Sequence, residues 1–194
     1  YEGFANMVFE NMRAMPLFID YVTERKLDED SVIVALDAGR VSEARKFAAI
    51  LDRDLVIIDK RRPKPGVAHV YTVIGKEKVD GKRAIAYEDM VDSGSTVEPS
   101  AEALYKLGAT DVYVCAPHLL ASPSEDGTAE DKMRKARVKV ITTNSIPRKN
   151  DWLEANSDWL EHVISLEPAL AEAVYKMQRG DPVSPLSETT RSYR

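Results

Sequence analysis

The chain has 194 residues, of which 44% are hydrophobic and 30% charged, a composition ordinary for a soluble globular protein of one domain or two small ones. Its net charge of −5 argues against broad nucleic-acid binding, which needs a basic face. One cysteine, Cys115, excludes an internal disulfide framework and a multi-cysteine zinc site and fits a reducing compartment, while no apolar run approaches the ~20 residues of a membrane span.

Short apolar runs alternate with helix-like segments. Residues 31–36 (Ser-Val-Ile-Val-Ala-Leu) read as a buried strand. In 41–51, Val41, Ala44, Phe47, Ala48 and Leu51 recur at helical spacing. Residues 55–58 form a second strand, and 69–74, rich in β-branched and aromatic residues, a third. A charged turn over 75–81 leads to a fourth strand at 83–87. A helix is expected over 95–107, with Gly108 as its stop. Residues 111–116 and 138–142 read as strands, 162–166 as a short edge strand and 167–178 as a final helix. Residues 122–135 are polar and mixed in charge, which reads as a loop followed by an exposed helix. The first sixteen residues show no clear period and are expected to wrap the sheet edge. Residues 181–194, with Pro182 and Pro185, read as a loose tail after one domain spanning 1–180. Apolar strands separated by helices imply an α/β fold with a mainly parallel sheet flanked by helices.

In such sheets ligands sit beyond the carboxyl ends of the strands. The richest end is Ala84-Ile85-Ala86-Tyr87-Glu88-Asp89-Met90-Val91-Asp92-Ser93-Gly94-Ser95-Thr96. Small residues let backbone N–H groups curl around a phosphate, and a helix start adds donors and positive dipole. Ser93, Ser95 and Thr96 supply hydroxyls around Gly94, and Glu88 and Asp89 can accept hydrogen bonds from a sugar diol. Asp92 either caps the helix or contacts the ligand, and capping by Asp92 and Ser95 alone is the plainer alternative. That alternative leaves two acids at the end of a buried strand unexplained, where carboxylates are costly unless compensated.

Two further strand ends carry chemistry. Asp59-Lys60-Arg61-Arg62-Pro63-Lys64 is a tight basic cluster in an acidic chain. It is either a solvated basic turn or a mobile loop that closes on phosphates, Lys as a point charge and Arg as a bidentate fork. Asp37-Ala38-Gly39-Arg40 is either a plain strand-to-helix turn capped by Asp37, or a pyrophosphate-binding turn (Ala38, Gly39, Arg40) whose Asp37 holds magnesium. Magnesium prefers one or two carboxylates plus phosphate oxygens.

The acidic loop resembles the ribose-phosphate loop of the type I phosphoribosyltransferase fold. With Asp37-Ala38-Gly39, Arg45-Lys46-Phe47-Ala48, Asp59-Lys60-Arg61-Arg62-Pro63, Asp89-Met90-Val91-Asp92-Ser93-Gly94 and Thr143-Asn144-Ser145-Ile146, nearly the whole chain resembles the C-terminal half of the ribose-phosphate pyrophosphokinases. The Asp-Lys-Arg-Arg-Pro stretch is the discriminating piece. The resemblance implies transfer of the β,γ-pyrophosphoryl group of ATP to the 1-hydroxyl of ribose 5-phosphate, with Mg²⁺. It implies Lys60 and Arg62 as catalytic cations and Asp37 as a metal ligand. Asp92, Ser93, Gly94, Ser95 and Thr96 would hold the 5-phosphate, with Glu88 and Asp89 facing the ribose hydroxyls. The implied partners are ATP, ribose 5-phosphate and further copies of the chain in a homo-oligomer, with no nucleic acid and no membrane; a cytoplasmic location is the expectation. The family's N-terminal half, which supplies most ATP contacts, is either outside this sequence or genuinely missing; if it is missing, the alternative reading is a non-catalytic phosphosugar-binding or regulatory subunit.

The sequence departs from the family at Arg40, where Gly is usual, at Glu43, where a basic residue is common, at Glu88, where Asp is usual, and at Pro117, where Thr is usual. Arg40 either crowds the turn or binds pyrophosphate itself. Elsewhere, Cys115 reads as a core residue, His118 as structural or supporting, His69 and His162 as ordinary strand residues, and Trp152 and Trp159 as packing the polar stretch between them onto the domain.

Overall fold

The computed structural model describes residues 11–61 and 70–187, with the backbone alone at 60, 61, 70 and 71. In chain order the elements are α1 (Met15–Glu24), β1 (Ser31–Ala35), α2 (Val41–Leu51), β2 (Asp54–Arg61), β3 (Val70–Ile74), β4 (Arg83–Tyr87), β5 (Met90–Val91), α3 (Val97–Lys106), β6 (Val112–Ala116), β7 (His118–Leu119), α4 (Ala129–Lys135), β8 (Val138–Thr143), α5 (Asn150–Ala155), β9 (Leu160–Ile164) and α6 (Glu167–Arg179).

Seven strands form one sheet in the order β3-β2-β1-β4-β6-β8-β9. All neighbours are parallel except β2 and β3, which pair antiparallel from Ile57↔Ile74 to Arg61↔Val70. This pair departs from the strand-helix rhythm for a physical reason. A parallel return needs a crossover of a dozen residues or more, and only eight separate β2 from β3. The second sheet, β5 with β7, was not expected from sequence; it is two residues wide and parallel, Met90↔His118 and Val91↔Leu119.

Alternation along the strands builds two cores. Val32 and Val34 of β1 join Val56, Ile58, Val112, Val114, Leu104, Met133 and Trp159 on one face. Ile33 and Ala35 point the other way, to Phe18, Val22, Phe47, Tyr113, Cys115 and Ile141. Thus α1 and α2 cover one face, and α3 and α4 the other. Each such fully buried aliphatic side chain contributes about 1.5–3 kcal/mol of transfer free energy. Cys115 is in the core as expected, and burial pushes its thiol up.

Of the first sixteen residues, expected to wrap the sheet edge, 1–10 lie outside the described residues, and Met15 and Pro16 open helix α1, with Pro16 in the first turn, where its missing N–H costs nothing, and Phe18, Ile19 and Val22 facing the core. Two expectations are corrected. Helix α4 is not a solvated helix, because Ala129, Lys132 and Met133 are buried. The stretch after Gly180 is packed as far as Leu186, where Val183 and Leu186 close over Ala173. Trp159 is buried, with Trp152 edge-on to it at 6.0 Å between ring centres. Its indole N–H donates to Asn156 Oδ1 at 2.9 Å, which holds the polar stretch on the domain as expected. Among the described residues no helix is long and apolar enough to cross a membrane.

Candidate active site

The chain leaves β1 toward β2 on one side and returns through β4 on the other, so the order of strands reverses between β1 and β4. A crevice opens beyond the carboxyl ends at such a reversal. Here it is a cleft of about 230 Å³ lined by Asp37, Arg40, Glu88, Asp89 and residues 91–97. The pairing Val34↔Ala86 sets the two strand ends level, so Asp37 and the Glu88-Asp89 pair share the cleft. Every sequence-predicted residue of the acidic loop, from Glu88 to Thr96, lies on this wall.

Glu88 is 7% exposed, and its Oε1 has no hydrogen-bond partner among the described residues. Burial, reinforced by the Asp37 and Asp89 charges and opposed by Arg40, pushes its carboxyl up to about 7. Arg40 reaches over both acids, with Nε 3.4 Å from Glu88 Oε2 and Nη2 paired with Asp89 Oδ2. Asp89 Oδ1 accepts from the Met90 N–H at 2.8 Å, which turns the chain into the loop. The β5–β7 pair then clamps that loop to the segment after β6, with the Leu120 N–H donating to Val91 O at 2.9 Å.

The loop tightens at Gly94, whose φ of +74° is one that side chains resist. A Cβ there would also lie 2.7 Å from Met133 Cε. Helix α3 starts two residues later than expected, at Val97, and no side chain caps it. In its first turn the Glu98 N–H donates back to Gly94 O at 3.0 Å and Pro99 carries no N–H, so the helix start offers a ligand or water only the donors ahead of Glu98. The capping alternative for Asp92 and Ser95 fails: Asp92 is exposed, and Ser95 Oγ lies 2.9 Å from Ser93 Oγ. A residue missed in the sequence stands behind this wall: Lys132 of α4, 5% exposed, donates to Ser95 Oγ at 3.1 Å. A lysine in a polar helical stretch gives no sequence signal of inward aim.

The turn after β1 follows the plainer alternative in part. Asp37 Oδ1 accepts from the Arg40 N–H at 3.1 Å and caps the 3-10 turn Ala38–Arg40. Ala38 and Gly39 are exposed at the rim. As a cation site the cleft offers oxygen donors, chiefly the unpartnered Glu88 Oε1 and the Asp37 side chain. Among the described residues no cluster of three or more ligating side chains occurs. That donor set fits an ion that takes most of its oxygens from water and phosphate, as magnesium does.

Lys60 belongs to the end of β2 rather than to a loop after it, opposite Tyr71 of β3. Its side chain, together with Arg62 and His69, lies outside the described residues. His118, expected to be structural or supporting, places Nδ1 2.9 Å from Ser145 Oγ. His162 of β9 stacks on Tyr21 at 4.6 Å between ring centres.

The phosphoribosyl transferase domain model matches residues 11–158. The chain belongs to the phosphoribosyl transferase domain family. It is 37% identical over 186 residues, 95% of its length, to the ribose-phosphate pyrophosphokinase of Caldanaerobacter subterraneus subsp. tengcongensis, and 36% identical over 189 residues to that of Listeria ivanovii. It spans 56% of each of these relatives. Among solved structures, phosphoribosylpyrophosphate synthetase from Mycobacterium smegmatis superposes with a TM-score of 0.75 at 31% identity, covering 92% of this chain and 55% of that one. The fold is the type I phosphoribosyltransferase fold.

Proposed function

We propose that this chain is the phosphosugar-binding half of a ribose-phosphate pyrophosphokinase. The observation that carries the reading is the union, in one cleft, of an acid pair at a strand end with a glycine-hinged hydroxyl loop opening an uncapped helix. The similarity to pyrophosphokinases over 95% of the chain supports it. In the reaction, the 1-hydroxyl oxygen of ribose 5-phosphate attacks the β-phosphorus of ATP, the bond to the α-phosphate oxygen breaks, and AMP leaves.

Each wall has a part. Ser93, Gly94, Ser95 and Thr96, with Asp92 at the rim, hold the 5-phosphate. Glu88 and Asp89 accept hydrogen bonds from the ribose hydroxyls, which fixes the sugar for in-line attack. Ala38, Gly39 and Arg40 face the pyrophosphate. Lys60 and Arg62 carry the catalysis by neutralising charge on the transferring group. Asp37, with Glu88 Oε1, would hold Mg²⁺, which when bound offsets the pyrophosphate charge. We assign residues 1–180 to one phosphoribosyltransferase-like unit, 181–194 to a C-terminal segment whose start packs back on α6 through Val183 and Leu186, the working form to a homo-oligomer and the location to the cytoplasm.

The test is AMP formation from ATP in the full-length protein, with ribose 5-phosphate and magnesium. Ribose 5-phosphate-dependent AMP release, lost in Lys60→Ala while sugar binding persists, is the expected result. Unchanged turnover in Lys60→Ala would sink the catalytic assignment. Sugar binding without any AMP release would mark a non-catalytic phosphosugar-binding subunit instead.

A further inference from the structure

Among the described residues, Lys132 is a buried ammonium without a carboxylate partner. It is 5% exposed, and none of the ion pairs among the described residues includes it. Its Nζ donates to Ser95 Oγ at 3.1 Å and to Ser124 Oγ at 2.8 Å. Neutral hydroxyls take two of its three hydrogens and do not balance its charge, and a buried charge left unbalanced is costly. A fold keeps such a group when something charged completes it.

The geometry says on which side. Ser124 Oγ donates its own hydrogen to Gly127 O at 3.0 Å, so it turns a lone pair toward the ammonium. The Lys132 stem runs under Gly94, where its Cβ and Cδ would lie 3.5 and 3.6 Å from an added methyl. The head therefore emerges beneath the hydroxyl loop, between Ser95 and Ser124. Ser95, which accepts from Lys132, is exposed to the cleft. A hydroxyl that accepts from a cation becomes a stronger donor in its turn.

We propose that Lys132 is a positioning residue for the phosphate of the sugar: it aims and polarises the Ser95 hydroxyl and supplies the countercharge of a phosphate monoester dianion held by residues 93–96. This rests on the reading that the loop takes the 5-phosphate. It makes the site selective for a dianion over a neutral sugar. Nothing in the loop's own sequence carries positive charge, so the cation has to come from another element, and α4 delivers it.

The experiment is calorimetric titration of the full-length protein with ribose 5-phosphate and, separately, with ribose. It compares wild type, Lys132→Met, Lys132→Arg, Ser95→Ala and the Ser95→Ala/Lys132→Met double variant, with thermal melting of each. Lys132→Met is expected to bind ribose 5-phosphate at least tenfold more weakly. Its affinity should also depend less on salt, and its melting temperature should be equal to or above wild type. Lys132→Arg is expected to restore most of the affinity, and the double variant to bind little worse than Ser95→Ala. A merely structural lysine would instead lower the melting temperature and leave the salt dependence alone. Lys132→Met binding within twofold of wild type, while wild type prefers ribose 5-phosphate to ribose, would overturn the proposal and leave the loop reading standing. Wild type showing no preference for the phosphorylated sugar would overturn both. Should Lys132→Met fail to fold, Lys132→Gln, which keeps donors and drops the charge, carries the same comparison.

Discussion

Arg40 sits against Glu88, its Nε 3.4 Å from Oε2 of a carboxylate that is almost wholly buried. The cleft therefore holds, without any ligand, an internal cation over the acids that would face the sugar. Burial and the neighbouring acids push Glu88 toward protonation, and Arg40 pulls it back. The site stands at a balance between a neutral and an ionised carboxyl near neutral pH.

That balance has a sign that stability measurements read. Glu88 rises from 4.5 in an exposed chain to about 7 in the fold. The folded state thus binds the proton more tightly, so its contribution is present below pH 4.5 and is lost as pH rises through about 7. Glu88→Gln removes the loss. It should stabilise the ligand-free protein at pH 8 by about 2 kcal/mol and flatten the fall between those two pH values. Denaturant melts across pH check it, and parallel profiles for variant and wild type would refute the account of Glu88.

Arg40 competes with any divalent cation for the same carboxylates. Arg40→Ala should tighten magnesium binding to the ligand-free protein by about 0.5–1 kcal/mol, roughly two- to fivefold. The same change should push the Glu88 carboxyl still higher. Titration with magnesium chloride reads the first effect, and carboxyl titration followed by NMR the second. Equal or weaker magnesium binding would mean that Arg40 does not block the acids.

Gly94 is held by two constraints, a positive φ and the Met133 methyl 2.7 Å from where a Cβ would sit. Gly94→Ala should cost about 2–4 kcal/mol, lower the melting temperature by several degrees and abolish ribose 5-phosphate binding. A variant that melts within a degree of wild type and still binds the sugar would show that the loop does not need this turn.

The parts of this site that sequence exposes are those where residue type and local pattern agree. The β-branched runs of β1, β4 and β6 announce buried parallel strands, and the acids and hydroxyls that follow β4 stand at their carboxyl ends. What stayed hidden depends on distant contacts. Helix α1 is built by Phe18 and Val22 finding Phe47 and Tyr87 on the sheet. Met90–Val91 is too short to read as a strand until His118–Leu119 pairs with it. The Arg40 bridge depends on how β1 and β4 lie side by side, and the inward turn of Lys132 depends on α4 packing under Gly94. The antiparallel β3 was legible in principle from the short connection before it.

The most direct test of the central claim is titration of the full-length protein with ribose 5-phosphate against ribose, in magnesium, for wild type and Ser95→Ala. The account predicts saturable binding of ribose 5-phosphate by wild type, at least tenfold weaker binding of ribose, and loss of that preference in Ser95→Ala. Equal binding of the two sugars by wild type, or an undiminished preference in Ser95→Ala, would contradict it.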